Sequence, residues 1–176
     1  MFLYLPEKFD ENEWFIIISF LIACIIIWIL PKRFPTIVTV LLFLFISAVS
    51  KLVDYILSGS FKFDLYDFND SNKYELFDSI LQWLLYPTIG YIFVYWYDYW
   101  KAKGRNHLFL MVVIIILSTL YEAFSVKCHV FYFKGWLSYF SAGFYSFAFP
   151  LTIVYHHLLN KWWYQNRSSR IKNCIE

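Results

Sequence analysis

The chain has 176 residues, 60% of them hydrophobic and 16% charged, with a near-balance of 15 basic and 13 acidic side chains. Soluble domains carry about 45–50% apolar and about 25% charged residues, so the composition excludes a water-soluble globule and points to an integral membrane protein. Five glycines and five prolines also exclude a collagen-like or disordered chain, and no basic block interleaved with aromatics marks a nucleic-acid partner.

A helix needs about 20 apolar residues to cross the hydrocarbon core. Five segments meet that need: 14–30, 35–57, 80–99, 107–125 and 136–159. They predict one all-α transmembrane domain over 1–176, a bundle of about five helices. Glu7, Asp10, Glu11 and Glu13 precede the first span. That is the wrong sign for the basic n-region of a signal peptide, so the span is expected to stay in the mature protein. Pro31-Lys32-Arg33 ends it, and Pro35 opens the second span at a first-turn position. The connection 58–79 is the longest piece outside the spans.

Lys and Arg near span ends set orientation. One set of connections holds Lys32, Arg33, Lys101, Lys103, Arg105, Lys161, Arg167, Arg170 and Lys172; the other holds Lys8, Lys62, Lys73, Lys127 and Lys134. The richer set is expected to face the cytoplasm. This places the N-terminus outside, the C-terminus in the cytoplasm and the connection 58–79 on the outer face.

Charge at bilayer depth costs about 2.5–3.5 kcal/mol at a helix centre, so polar residues inside spans are where function can show. The second span carries Lys51 and Asp54 three residues apart, on one helical face. The third carries Gln82, the fourth Glu122, and the fifth Ser141 and Tyr145. In the expected topology these six lie in the outer half of the membrane and are candidates for one intramembrane polar site. The competing reading makes them interface residues, with Lys51 snorkelling and Lys51 and Asp54 neutralising each other.

The outer connection contributes Asp64, Tyr66, Asp67, Asn69, Asp70 and Asp78. Its acids lack the alternate-ligand, glycine and glutamate spacing of an EF-hand, so a structured aromatic lid is expected rather than a metal site. Asp98 is expected to pair with Lys101. Cys24, Cys128 and Cys174 form no metal or redox spacing, His156 and His157 lack a metal-ligand companion, and no cofactor is expected.

The outer-loop motifs Tyr66-Asp67-Phe68-Asn69-Asp70 and Tyr74-Glu75-Leu76-Phe77-Asp78 come first in a longer ordered set. Tyr86-Pro87-Thr88-Ile89-Gly90-Tyr91 follows, then Glu122, Gly135-Trp136 and Tyr139-Phe140-Ser141. In this order the chain, from about Pro31 to His157, resembles a family of small multi-pass membrane proteins of spore-forming firmicutes. The resemblance implies a multi-pass protein of the bacterial cell membrane; the family has no assigned activity and lends no catalytic residue.

The expected function is a non-enzymatic binding or interaction module with an outward-facing polar site. Its expected partners are the lipid bilayer, a small polar or lipid-like ligand from the outer face, and a membrane-protein partner. The alternatives are a proton- or cation-coupled carrier or channel using Asp54 and Glu122, and a membrane-embedded hydrolase or transferase.

Overall fold

The computed structural model describes residues 4–6, 8–58, 64–68, 74–100 and 105–173, with side chains to 167. Asn69 and Asp70 of the outer connection, with Lys62, Phe63, Lys73, Lys101, Lys103 and Cys174, lie outside the described residues.

Helix α1, Glu11–Ile29, starts where Glu13 reaches back to accept the Asp10 backbone N–H at 2.7 Å, satisfying one of the donors a helix start leaves free. Helix α2, Thr36–Leu57, follows Pro35. Helix α3 begins as Leu76–Ile80, passes through a π-helical turn at Leu81–Leu85 and continues as Tyr86–Tyr99. Helix α4 spans Arg105–Lys127, and α5 spans Ser138–Asn173. The described residues therefore form an almost wholly helical protein, as the composition predicts.

Helices α1, α2 and α4 are long and apolar enough to cross a membrane. The other two helices differ in character. Helix α3 is interrupted by its π turn, and α5 mixes Ser, Tyr and His among its apolar residues and runs well past the expected end at 159. Nothing in Lys161–Asn173 breaks a helix: the segment has no Gly or Pro and is rich in straight-chain residues that lose little rotamer freedom.

Helix α3 packs against α1 and α2, and α5 packs against α2 and α4. The approach of α3 to α2 is close: a Cβ built on Gly90 would lie 2.6 Å from Ile46 Cδ1. One core cluster joins Leu42, Tyr91, Val94, Met111 and Ile153; a second joins Ile16, Ala23, Phe77, Leu85 and Val130.

A two-stranded antiparallel ribbon departs from the all-helical expectation. Strand β1, Tyr66–Phe68, pairs with β2, Phe131–Phe133, in the register Tyr66 to Phe133 and Phe68 to Phe131. The sequence alone offered no partner for β1, because β2 lies about sixty residues further on. At the other end of the bundle Arg33 and Asp98 form an ion pair, and Arg33 Nη2 also donates to the Asp98 carbonyl at 3.1 Å. Asp98 thus takes Arg33 as a partner; Lys101, the partner expected from the sequence, lies outside the described residues.

Candidate functional site

The ribbon is built by local stops in the helices around it. Helix α4 ends in a left-handed residue, His129 with φ 58°. There the Val130 N–H reaches the Ser125 carbonyl at 3.0 Å and the His129 N–H reaches Val126 at 3.1 Å. This is the Schellman pattern, with histidine where glycine usually stands. It reverses the chain and drops Val130 into the core, fully buried. The Leu65 carbonyl then accepts three successive N–H groups, those of Lys134, Gly135 and Trp136, at 2.9–3.1 Å. Lys134 Nζ bridges Asp64 at 3.0 Å and Asp67 at 2.9 Å, and the two carboxylates hold the ammonium above its ordinary pKa. Two acids of the expected outer site are therefore spent on the lid's own ion pairs.

Beneath the ribbon is a cavity of about 480 Å³, within the roughly 300–1,000 Å³ of small-molecule sites. It is long. Its lining on α5 runs from Ser141 to Thr152 and on α2 from Phe45 to Leu57, about 16–18 Å at 1.5 Å per residue. The ribbon end holds Asp54, Tyr66, Glu122, Trp136 and Ser141; the far end holds Phe45, Phe93, Phe149 and Leu151. Thr152, also at the far end, spends its hydroxyl on the Ala148 carbonyl at 2.8 Å.

Two carboxylates face this cavity, each held by two donors. Asp54 Oδ1 accepts from the Tyr66 hydroxyl at 2.7 Å, and Oδ2 accepts from Gln82 Nε2 at 2.8 Å. Tyr74 donates to Gln82 Oε1 at 2.9 Å and orients that amide. The π turn explains how Gln82 gets there. Pro87 has no N–H to return to the Trp83 carbonyl four residues back, and within the π turn the Tyr86 N–H bonds to the Leu81 carbonyl, five residues back. One extra residue in the turn re-aims the side chains around Gln82, the usual use of a π-bulge at a site.

Glu122 Oε2 accepts from the Tyr145 hydroxyl at 2.8 Å, and Oε1 accepts from the Ser141 hydroxyl. Trp136 Nε1 donates to the Ser141 oxygen at 2.7 Å, completing a short chain from indole to carboxylate. Burial, the Asp54 charge with its hydrogen bond, and the Glu122 charge together raise the Tyr66 phenol well above its ordinary pKa. It therefore stays a donor throughout the physiological range.

Of the six expected intramembrane residues, five fall into these two sets: Asp54 with Gln82, and Glu122 with Ser141 and Tyr145. Lys51 does not join them. Its ammonium lies over the Tyr74 and Trp83 rings, 5.0 and 5.1 Å from their centroids, and among the described residues no ion pair links it to Asp54. The expected Lys51–Asp54 pair is corrected on this point. Three residues along a helix is near enough for a pair, but the Lys51 ammonium is drawn to the faces of Tyr74, just before α3, and Trp83, in its π turn, the cation–π geometry.

Among the described outer-connection candidates, Tyr66 is the one that reaches the cavity. Asp64 and Asp67 hold Lys134, as above. Asp78, buried, accepts the Glu75 backbone N–H at 2.7 Å and caps the start of α3; that carboxylate serves helix initiation. Trp136 is not among the expected site residues. Its hydrogen bond to Ser141 makes it a member of the Glu122 set, and the visible hint was its place five residues before a serine already on the polar list.

Among the described residues no group of three or more His, Cys, Asp or Glu side chains is arranged to hold a metal ion. Comparison with protein-family models, with curated proteins and with solved structures finds no match to this chain.

Proposed function

We propose that the protein is a non-enzymatic binding module of a bacterial cell membrane that takes an amphiphilic molecule into its cavity from the outer face. The observation that carries this reading is the division of the cavity: polar hydrogen-bonding groups at the ribbon end, and below them a mainly apolar bore about 10–14 Å long along α5 and α2. A molecule that is polar at one end and apolar at the other matches both parts at once. In this reading all five helices span the membrane, α3 and α5 included, since both are packed into the bundle beside α2. The excess of Lys and Arg in the connections expected opposite the ribbon supports a ribbon that faces outward, and the resemblance to small firmicute membrane proteins supports the cell-membrane location.

A carrier would be expected to offer polar groups along the whole path. Here the acidic lining side chains, Asp54 and Glu122, lie at the ribbon end and the bore below them is lined mainly by aromatic and aliphatic side chains, which favours binding over passage.

The test is extraction of the purified, monodisperse protein into organic solvent, followed by mass spectrometry. A near-stoichiometric amphiphile is expected in the wild type, and Ala148→Phe, which fills the middle of the bore, is expected to release it. Folded wild-type protein that carries no amphiphile and takes none up would overturn the reading. Ion flux in reconstituted vesicles that vanishes in Glu122→Gln would replace it with a carrier.

A further inference from the structure

We infer that the cavity is selective for a single-chain amphiphile with a cationic, hydrogen-bond-donating head, its ammonium held between the Asp54 and Glu122 carboxylates and its chain running down the apolar bore. This deepens the proposed function and rests on it.

Hydrogen-bond accounting comes first. An ionised carboxylate offers about four lone-pair sites. Asp54 receives one donor on each oxygen, from Tyr66 and Gln82, and Glu122 receives one on each, from Tyr145 and Ser141. Each carboxylate keeps about two acceptor sites for a ligand. All four protein partners donate, so the remaining demand is for further donors; an ammonium carries three.

Charge points the same way. Among the described residues the cavity lining includes two carboxylates and contains no Lys, Arg or His. Among the described residues, Lys51 is turned onto the Tyr74 and Trp83 rings, and Lys134 is engaged by Asp64 and Asp67. Buried charges are normally paired. Here the pairing partner is supplied by the ligand, while a fatty acid would bring a third carboxylate to the same end.

The shape sets the chain. Asp54 and Glu122 sit at one end of a lining that runs about 16–18 Å along α2 and α5, and the bore beyond them is walled by Phe45, Phe93 and Phe149. One extended alkyl chain fills such a bore. Among the described residues no basic side chain lines the cavity to receive a phosphate, which favours a head that is an amine without an attached phosphate.

The experiment titrates the full chain in nonionic micelles with dodecylamine, dodecanol and dodecanoate, all of equal chain length, and reads occupancy by native mass spectrometry. A charge-assisted hydrogen bond is worth at least about a tenfold gain in affinity. Dodecylamine is therefore expected to bind about tenfold or more tighter than dodecanol, and dodecanoate weaker than both. In Asp54→Asn and Glu122→Gln the preference for amine over alcohol is expected to shrink, with dodecanol binding retained as evidence of an intact cavity. Because the preference is measured within the wild type, a variant that does not fold leaves the test standing. A lyso-phosphatidylethanolamine is expected to bind no better than dodecanol; binding equal to dodecylamine would assign the ammonium to a phospholipid and overturn the exclusion of phosphate. Equal affinity for amine, alcohol and carboxylate would overturn the cationic head while leaving an amphiphile site. Failure of all four to bind would bring down the proposed function itself.

Discussion

Tyr66→Phe removes one hydroxyl and nothing else. The ring keeps its edge-to-face contacts with Phe68, Phe131 and Trp136, at centroid distances of 5.5, 6.0 and 6.1 Å, so the lid should stay closed and no cavity cost arises. What is lost is a 2.7 Å bond to a buried carboxylate. Hydrogen bonds to charged groups are worth about 1.5–3 kcal/mol in soluble proteins, whereas those between membrane helices average about 0.6 kcal/mol because the unfolded helix finds substitutes in the bilayer. Tyr66 is on a connection, where its unfolded competitor is water, while Asp54 is on a helix. The expected coupling therefore lies between the two scales, about 1–2 kcal/mol. A double-mutant cycle of Tyr66→Phe against Asp54→Leu, followed by equilibrium unfolding in mixed micelles, isolates the pair from the loss of Gln82's partner, which occurs in both Asp54→Leu variants. A coupling below about 0.5 kcal/mol, at the level of independent sites, would show that the lid is not fastened to α2 through this bond.

Other expectations follow from the same geometry. Lys51→Met should cost about 0.5–1 kcal/mol through its lost ring contacts and should be additive with Asp54→Leu; strong coupling between them would restore the ion pair that the structure lacks. Gly90→Ala should destabilise the bundle through Ile46 Cδ1, and Ile46→Val, which deletes that carbon, should recover the loss; Gly143, with nothing within 4 Å of a built Cβ, should instead tolerate alanine and gain about 0.5–1 kcal/mol of helix stability. The Lys134 bridge should protect the ribbon amides in hydrogen exchange while the lysine is charged. Because its folded pKa is raised, that protection should be lost only as pH climbs past the ordinary lysine range, and Lys134→Met should remove it at neutral pH. Cysteines placed at Ser71 and Ser168 in a cysteine-free background should label from opposite sides of the membrane, and labelling from one side would refute an odd number of spans between them.

Much of the helical framework is visible in composition and periodicity because membrane insertion is a local transaction. Each apolar run is long enough by itself, and the expected spans at 14–30, 35–57 and 107–125 coincide within three residues of α1, α2 and α4. The polar residues inside the spans are visible for the same reason, since each charge stands out against an apolar background. Their grouping was partly legible: Ser141 and Tyr145 lie four residues apart on one helical face, and both meet Glu122. The far end of α5 was missed because hydropathy falls after Leu159 while helix propensity does not, and only the second decides where a helix stops.

What only the tertiary structure decides is which partner each polar group takes. Lys51 and Asp54 are three residues apart in sequence, yet the lysine goes to the rings of Tyr74 and Trp83 and the aspartate to Tyr66 and Gln82, 12 and 28 residues away. Tyr66 reaches Asp54 because β1 pairs with a strand formed much later, and that strand exists because α4 stops at a left-handed His129. Gln82 reaches it because a proline five residues on lies just beyond a π turn. Apolar length and charge act on each segment alone and can be read from order in the chain. Pairing and cavity shape arise from segments meeting side by side, and no local sum of residues contains them.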